Sequence, residues 1–155
     1  MRQLLKGLMV LFLLLFLVAC QTQEQSELFD WQGTKVGDNS AVLAIIKQLD
    51  EREAFERLEL HTKQEPYGMT IDYQGLATLL QEKQETLSQS AYLFTLIPNV
   101  DQITFQYPDS PAMTVYRKEL ETVLSLNEYA SEQELREDMK PLLSKPEKWV
   151  RSYQK

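Results

Sequence analysis

The chain has 155 residues, 43% of them hydrophobic, and its 16 Lys+Arg and 23 Asp+Glu give a formal net charge of −7 at neutral pH. This length corresponds to one domain with a core of its own. One cysteine and one histidine exclude an internal disulfide framework, a thiolate zinc site and a histidine-rich metal site. The acidic balance argues against a nucleic-acid partner, which would require a basic stripe. We therefore expect no nucleic acid, no metal and no other cofactor.

The N-terminus carries an export signal. Arg2 and Lys6 precede thirteen uncharged residues, 7–19. A bilayer-spanning helix needs about 20 apolar residues, so this run is too short to span comfortably. It has the length of the hydrophobic region of a signal peptide. The pattern predicts a signal peptide over residues 1–19.

That run ends at Leu17-Val18-Ala19-Cys20, which resembles the lipobox of bacterial lipoproteins. The resemblance implies that the Cys20 thiol carries diacylglycerol and that a lipoprotein signal peptidase cuts between Ala19 and Cys20. The mature protein would then be held at the extracytoplasmic face of the cell membrane by its lipid. The alternative is a core cysteine at the end of an uncleaved anchor helix.

Residues 20–27 are expected to be the lipidated cysteine and a polar tether, and residues 28–155 a single domain. Removal of residues 1–19 leaves 14 basic and 23 acidic residues, a net charge of −9. An anionic domain is repelled from an anionic leaflet. We therefore expect the domain to face solvent or a protein partner.

The first predicted element of the domain is a helix from about Ser40 to Leu49, with apolar residues at helical spacing. Gly37 before it can adopt the positive φ of a tight turn, and Asp38, Asn39 or Ser40 can cap the helix. A phosphate-binding or catalytic turn is the alternative interpretation of this segment, but such loops need more glycines and a basic residue.

Two alternating runs follow, over residues 55–62 and 69–73, separated by a break at 65–68 that contains Pro66 and Gly68. Period-two alternation around such a break predicts an antiparallel hairpin with one solvent-facing side. His61 falls on the polar side. We interpret it as a surface residue rather than a ligand or base.

Residues 76–97 return to helical periodicity, with a polar stretch in the middle. We favour two helices joined by a loop over one long helix. Pro98 and Asn99 follow, and a proline cannot donate to the helical ladder.

A second hairpin is predicted from alternation at residues 103–107 and 113–115, with a turn at 108–111. A helix around Leu120 to Leu124 comes next. Residues 131–134 form a capping box that opens a last helix, which Pro141 should terminate. The order predicts an α+β fold: a four-stranded antiparallel sheet from two β-hairpins, packed against helices on one face.

Three ordered motifs resemble a domain of unknown function, DUF4825, of lipoproteins from Gram-positive bacteria. They are V-G-D-N-S before the first helix, E-P-Y-G with a hydrophobic residue after a strand, and L-F-x-L-I-x-N-V-D-x-I-x-F from residue 93 to 105. The resemblance covers about residues 29–125. It implies a role in the cell envelope, in part through similar domains attached to membrane-bound antibiotic-sensing peptidases, and it supplies no catalytic residues.

The chain carries no motif of a nucleophile elbow, zinc peptidase, phosphate-binding loop or dinucleotide fold. We therefore predict no enzyme, but a non-catalytic binding or sensing module whose partner is an envelope protein or a small ligand. The alternatives are a cell-surface hydrolase that uses two carboxylates, and a regulatory accessory of a membrane peptidase or sigma-factor system.

Four polar residues in the motifs are candidates for a site: Asp38, Tyr67, Asn99 and Asp101. The favoured interpretation is that they cap a helix and close turns, with Gly37 and Gly68 serving backbone geometry. The rival interpretation is that the four residues converge at one end of the sheet as a polar binding site.

Overall fold

The computed structural model describes residues 27–49 and 53–153. The predicted signal peptide, the lipobox with Cys20 and residues 20–26 of the predicted tether lie outside these residues. In the described part, no helix combines the length and the hydropathy that a bilayer crossing requires.

Within this part the chain forms five strands and four α-helices. In chain order they are α1 (Asn39–Leu49), β1 (Phe55–His61), β2 (Gly68–Tyr73), α2 (Leu79–Leu96), β3 (Gln102–Gln106), β4 (Ala112–Tyr116), α3 (Arg117–Leu120), α4 (Glu132–Leu143) and β5 (Arg151–Tyr153). Short 3-10 turns cover Glu27–Trp31 and Pro146–Lys148. The α+β class is confirmed.

The sheet has the order β1-β2-β3-β4-β5. The two predicted hairpins are present, since β1 pairs with β2 and β3 with β4 in antiparallel fashion. The prediction of an entirely antiparallel sheet is wrong, because β2 and β3 are parallel. The 18-residue helix α2 between them returns the chain to the end of the sheet where β2 began, so β3 must run in the same direction as β2.

The prediction of four strands is also wrong. The C-terminal segment adds β5, which pairs antiparallel with β4 through Ala112 opposite Tyr153 and Thr114 opposite Arg151. A strand of three residues is too short for alternation to reveal it.

Residues 79–96 form one helix rather than the two that we favoured. Its polar stretch stays helical, and Glu82, Thr86, Gln89 and Ser90 within it are buried. Most of these side chains have hydrogen-bond partners, although the Ser90 hydroxyl has none in the described part of the chain. The Glu82 carboxylate accepts hydrogen bonds from the Leu76 N–H at 3.2 Å and from the Ser110 hydroxyl. Gln89 accepts from the Tyr73 hydroxyl at 2.6 Å. Paired polar groups can be buried at little cost, and they remove the apolar periodicity that marks a helix.

The C-terminal helices also differ in extent from the prediction. The helix expected around residues 120–124 is only the single turn α3, followed by turn hydrogen bonds. Ser131 caps α4 as predicted, with its hydroxyl accepting from the Glu134 N–H at 3.4 Å. Pro141 lies inside α4, which ends two residues later at Leu143. In the last turn its missing N–H removes only one helical hydrogen bond.

One face of the sheet is covered by α2. The Tyr73 hydroxyl bonds to Gln89 of this helix, and the Tyr107 hydroxyl lies 3.2 Å from the Thr86 hydroxyl. The buried strand residues that face the helices include Met69, Ile71, Tyr73, Ile103, Phe105, Met113 and Val115. The opposite face, which we call the open face, carries polar pairs such as Arg57–Asp72, His61–Thr70 and Thr104–Thr114.

Candidate functional site

Two of the four predicted site residues, Tyr67 and Asp101, join the starts of β2 and β3. The Tyr67 N–H donates to Asp101 Oδ2 at 2.8 Å, and the Asp101 N–H donates to the Tyr67 carbonyl at 2.8 Å. This reciprocal pair closes the two turns that lead into the parallel strands.

The other two, Asp38 and Asn99, also bind backbone amides. Asp38 Oδ1 accepts from the Ala41 N–H at 3.1 Å in the first turn of α1, which is the geometry of an N-cap. Asn99 Oδ1 accepts from the Val36 N–H at 2.9 Å. These hydrogen bonds agree with a role in closing turns, and ligand contact at the four residues stays a prediction.

Of the two glycines in the motifs, Gly37 differs from the expectation. Gly37 does not adopt a positive φ, whereas Gly33 does, at φ 89°. Gly68 is needed for close approach, since a Cβ at this position would lie 2.9 Å from Gln102 Cγ and 3.2 Å from the Gln102 carbonyl oxygen. The close approach of β2 to β3 therefore accounts for a glycine at position 68.

Arg117 is a central residue that the sequence analysis missed. Its side chain is nearly buried, with the whole residue 7% exposed. Its Nη2 donates to the Phe94 carbonyl at 2.5 Å and to the Ile97 carbonyl at 2.7 Å, and its Nε donates to the Val100 carbonyl at 2.7 Å. The guanidinium therefore caps the C-terminal end of α2 and the turn that follows.

Electrostatics explain why a cation suits this position. Carbonyl groups at a helix C-terminus carry partial negative charge. The guanidinium also lies 5.1 Å from the centroid of the Phe94 ring and pairs with Glu121 at 3.3 Å. Burial lowers the pKa of Arg117 from its usual value, but an arginine keeps its proton at neutral pH. No signal in the sequence distinguishes Arg117 from a surface arginine, because its partners come from other elements.

An open groove lies between α2 and α4, and we call it the α2–α4 groove. Its volume is about 970 Å³. Amide side chains of Gln48, Gln81 and Gln84 line it, together with apolar Leu28 and Met139. Such a mixture of amides and apolar groups suits a ligand that presents both polar and apolar atoms.

The α4 wall of the groove is held to α2 by hydrogen bonds. The Tyr92 hydroxyl donates to Glu132 Oε1 at 3.3 Å, and Arg136 forms an ion pair with the same carboxylate. Gln84 Nε2 donates to the Leu143 carbonyl at 3.0 Å. Burial raises the pKa of the Tyr92 hydroxyl, an effect that the hydrogen bond with Arg136 partly offsets. The hydroxyl of Tyr92 is therefore a neutral donor at physiological pH.

A chain of hydrogen bonds links the α2 wall to the core. Gln89 accepts from the Tyr73 hydroxyl at 2.6 Å and donates through Nε2 to Glu85 Oε1 at 2.7 Å. Tyr73 in turn stacks on Phe105 at 6.1 Å between ring centroids. These contacts fix the orientation of the groove-lining Glu85 and Gln89. The three glutamines of α2 at positions 81, 84 and 89 are the sequence signal that could have indicated a polar helix face.

Metal ligands are not assembled in the part of the chain that the structure describes, where no three His, Cys, Asp or Glu side chains form a cluster able to hold an ion. A smaller acidic concavity of about 530 Å³ lies beside α4. Three of its four carboxylates have other partners, since Glu134 accepts from the Ala130 N–H, Asp138 accepts from the Tyr129 hydroxyl and Glu137 pairs with Lys140.

A comparison with models of protein families identifies a related domain. The model of a family described as Domain of unknown function (DUF4825) matches residues 28–118. The match contains the whole of α2 but ends before α4, so only one wall of the groove lies within it. A comparison with curated proteins found no match, and neither did a comparison with solved structures. Because the matched residues make up more than half of the chain, the protein belongs to the family of the domain of unknown function DUF4825.

Proposed function

We propose that this protein is a lipoprotein, anchored through Cys20 at the extracytoplasmic face of the cell membrane, that acts as a non-catalytic binding or sensing module. Its ligand site is the α2–α4 groove. The observation that carries this proposal is the groove itself, a concavity of about 970 Å³ whose two walls are held in place by paired side chains. Pre-formed concavities of this size are the usual sites of ligand binding.

The lining of the groove supports a binding role. Gln48, Gln81 and Ser88 offer amide and hydroxyl groups that both donate and accept hydrogen bonds. The half-buried Leu76 and the exposed Ala77 offer apolar surface. A segment of an envelope protein or a small ligand of mixed polarity matches these groups. The pairing of Glu132 with Arg136 and Tyr92 fits a structural role better than catalysis.

The position of the tether supports a role close to the membrane. Leu28, the first residue of the domain, lies in the wall of the groove. Seven residues separate it from Cys20. The eight Cα–Cα steps from Cys20 to Leu28 span at most about 28 Å when fully extended. With a lipid on Cys20, the groove therefore works within roughly one domain diameter of the bilayer surface.

The groove can be tested by photo-crosslinking in the native membrane. We would incorporate a photo-reactive phenylalanine at Ser88, inside the groove, and at Asp109, an exposed turn residue outside it. We expect one specific adduct from position 88 and none from position 109. Ala77→Trp, which fills the groove, should abolish the adduct, whereas Ala130→Trp on the exposed loop before α4 should not. Equal adducts from both positions, or no effect of Ala77→Trp, would contradict the proposal.

The anchor is tested independently. Cys20→Ala should block lipidation and leave the precursor uncut, and globomycin, which inhibits the lipoprotein signal peptidase, should make the lipidated wild-type precursor accumulate. Mass spectrometry of the mature protein should find residue 20 at the N-terminus with acyl chains attached. An unmodified Cys20, or a mature protein that starts elsewhere, would refute the anchor but leave the groove proposal standing.

A further inference from the structure

The first strand of the sheet, β1, has one long edge that no strand of the described part pairs with. The sheet order places β1 at one end, paired only with β2. This strand has seven residues, whereas β5 at the other end has three. The unpaired N–H and C=O groups of an edge strand are a template for a further strand, so a long edge needs a partner or a device that protects it.

The charge pattern of β1 is complementary to itself. Its residues read FERLELH, and Leu58 is the central one. When two copies of a strand pair antiparallel about a two-fold axis, one residue lies opposite the same residue of the second copy. The residue before it in each copy then lies opposite the residue after it in the other copy. With Leu58 on the axis, Arg57 of each copy lies opposite Glu59 of the other.

This register differs from its neighbours in its electrostatics. A register centred on residue 57 sets Arg57 against Arg57 of the second copy, and one centred on residue 59 sets Glu59 against Glu59. Like charges directly opposite one another are destabilising, whereas opposite charges stabilise a strand pair. Only the central register combines two opposite-charge pairs with the longest overlap. The β-bulge between Phe55 and Arg57 lies outside the three central pairs.

The side chains are placed to make these contacts. Arg57 and Glu59 project from the open face, with 62% and 57% of their side chains exposed. Arg57 already donates to Asp72 on β2 at 2.7 Å, so its guanidinium would lie between two carboxylates. On the other face Leu58 is only half-buried, and contact with its copy would cover it.

From these observations we propose that β1 is the interface of a two-fold symmetric dimer. Two copies pair antiparallel through Leu58 and form one continuous ten-stranded sheet. Arg57 and Glu59 form crosswise ion pairs on its open face. The second copy of this chain is the occupant of the edge, and the inference depends on neither the groove nor its ligand.

Cysteine crosslinking of the full chain in its own membrane tests the register. Directly opposite residues of an antiparallel pair have Cα atoms about 4.5–5.5 Å apart, within the range of a disulfide. Leu58→Cys should therefore give a disulfide-linked dimer on mild oxidation. Lys118→Cys is the matched control, because this exposed residue lies just beyond β4 and away from β1. Equal crosslinking of both variants would indicate random collision and refute the dimer. The wild-type chain, whose one cysteine is Cys20, measures any crosslinking through that residue.

Charge reversal tests the ion pairs. In Leu58→Cys chains, both Glu59→Arg and Arg57→Glu should lower the yield of crosslinked homodimer about tenfold, because each sets like charges opposite one another twice. Coexpression of the two charge variants with different tags should restore crosslinking between them, since every pair is then Arg opposite Glu. Thermal melts of each variant verify that it is folded. Failure of the mixed pair to crosslink, or crosslinking of residue 58 to a different protein, would overturn the proposal.

Discussion

At the scale of single residues, Arg117 shows how one side chain connects three elements. It follows β4 in the chain, yet its donors satisfy carbonyls at the end of α2 and in the turn before β3. Carbonyls at a helix C-terminus have no partner within the helix. Without the guanidinium, these carbonyls would lose their charged donor, and the Ile97 carbonyl would keep only the Val100 N–H, at 3.3 Å, among the donors of the described residues.

Replacement of Arg117 should therefore destabilise the protein strongly. Hydrogen bonds to charged groups are each worth about 1.5–3 kcal/mol, so we expect Arg117→Ala to lower the free energy of unfolding by about 3–5 kcal/mol. Arg117→Lys keeps the charge but cannot reach all three carbonyls, and it should cost less than the alanine variant. Urea unfolding measures both. The exposed neighbour Lys118→Ala should change the free energy by less than about 0.5 kcal/mol, and an equally small effect of Arg117→Ala would contradict this account.

The carboxylates in the family motifs permit a test between the structural and the ligand interpretation. Asp38→Ala removes an N-cap and should cost about 1 kcal/mol. Asp101→Ala removes the acceptor of the Tyr67 N–H, an exposed hydrogen bond, and should cost about 0.5–1.5 kcal/mol. For both variants we would measure the melting temperature and the yield of the adduct from the photo-reactive residue at position 88. If binding follows the folded fraction, the residues act in turns. Unchanged melting with loss of binding would locate a ligand site at these carboxylates instead.

At the scale of elements, the parallel pairing of β2 with β3 depends on a close approach between the first residues of the two strands. Gly68 starts β2 opposite Gln102, the first residue of β3. The space that a Cβ at Gly68 would occupy is taken by the Gln102 side chain and approached by its carbonyl oxygen. A larger residue at position 68 must displace the Gln102 side chain and would crowd the carbonyl oxygen of this first residue of β3.

Gly68→Ala should therefore destabilise the fold by about 1–3 kcal/mol in urea unfolding. Gln102→Ala removes the side-chain atoms closest to the added Cβ. The double variant Gly68→Ala/Gln102→Ala should therefore recover part of the lost free energy of unfolding. The rest should stay lost, because the contact with the carbonyl oxygen of residue 102 remains. Gly37→Ala serves as the control, since a Cβ there meets nothing within 4 Å and φ is not positive. That variant should be neutral or stabilising by up to about 1 kcal/mol. Equal stability of the two alanine variants would show that close approach at Gly68 is unimportant.

At the scale of the whole molecule, Tyr129 joins the N-terminal segment to the last helix. Its carbonyl accepts from Gln32 Nε2 at 2.9 Å, and its hydroxyl donates to Asp138 in α4 at 3.0 Å. Burial, followed by the hydrogen bond to Asp138, raises the pKa of the Tyr129 hydroxyl to about 12. The pKa of tyrosine in an unfolded chain is about 10.

This difference predicts a loss of stability in alkali. The folded state retains the Tyr129 proton more tightly than the unfolded state, so the stabilising contribution is complete below about pH 10 and is lost as the pH rises towards 12. In Tyr129→Phe the free energy of unfolding should fall less steeply over this interval. Urea unfolding at several pH values measures the slope. Parallel curves for the variant and the wild type would contradict the raised pKa.

The sequence by itself determined the features that depend on neighbours along the chain. The helix α1, both hairpins and the Ser131 cap follow from periodicity, turn residues and capping preferences, all of which act over a few positions. Membership of the family was also recognisable, because three short motifs carry it. The lipobox is equally local, and the anchor that it implies stays a prediction.

The tertiary structure decided what depends on residues far apart in the chain. Only the crossover of α2 makes β2 and β3 parallel, and only pairing with β4 makes residues 151–153 a strand. Polar residues of α2 became buried because Tyr73 and Ser110 supply partners from other elements. The role of Arg117 and the α2–α4 groove have the same origin, since each is assembled from segments that no local pattern relates. Hydrogen-bond partners and cavities are properties of packing, and a linear pattern specifies packing only through the fold as a whole.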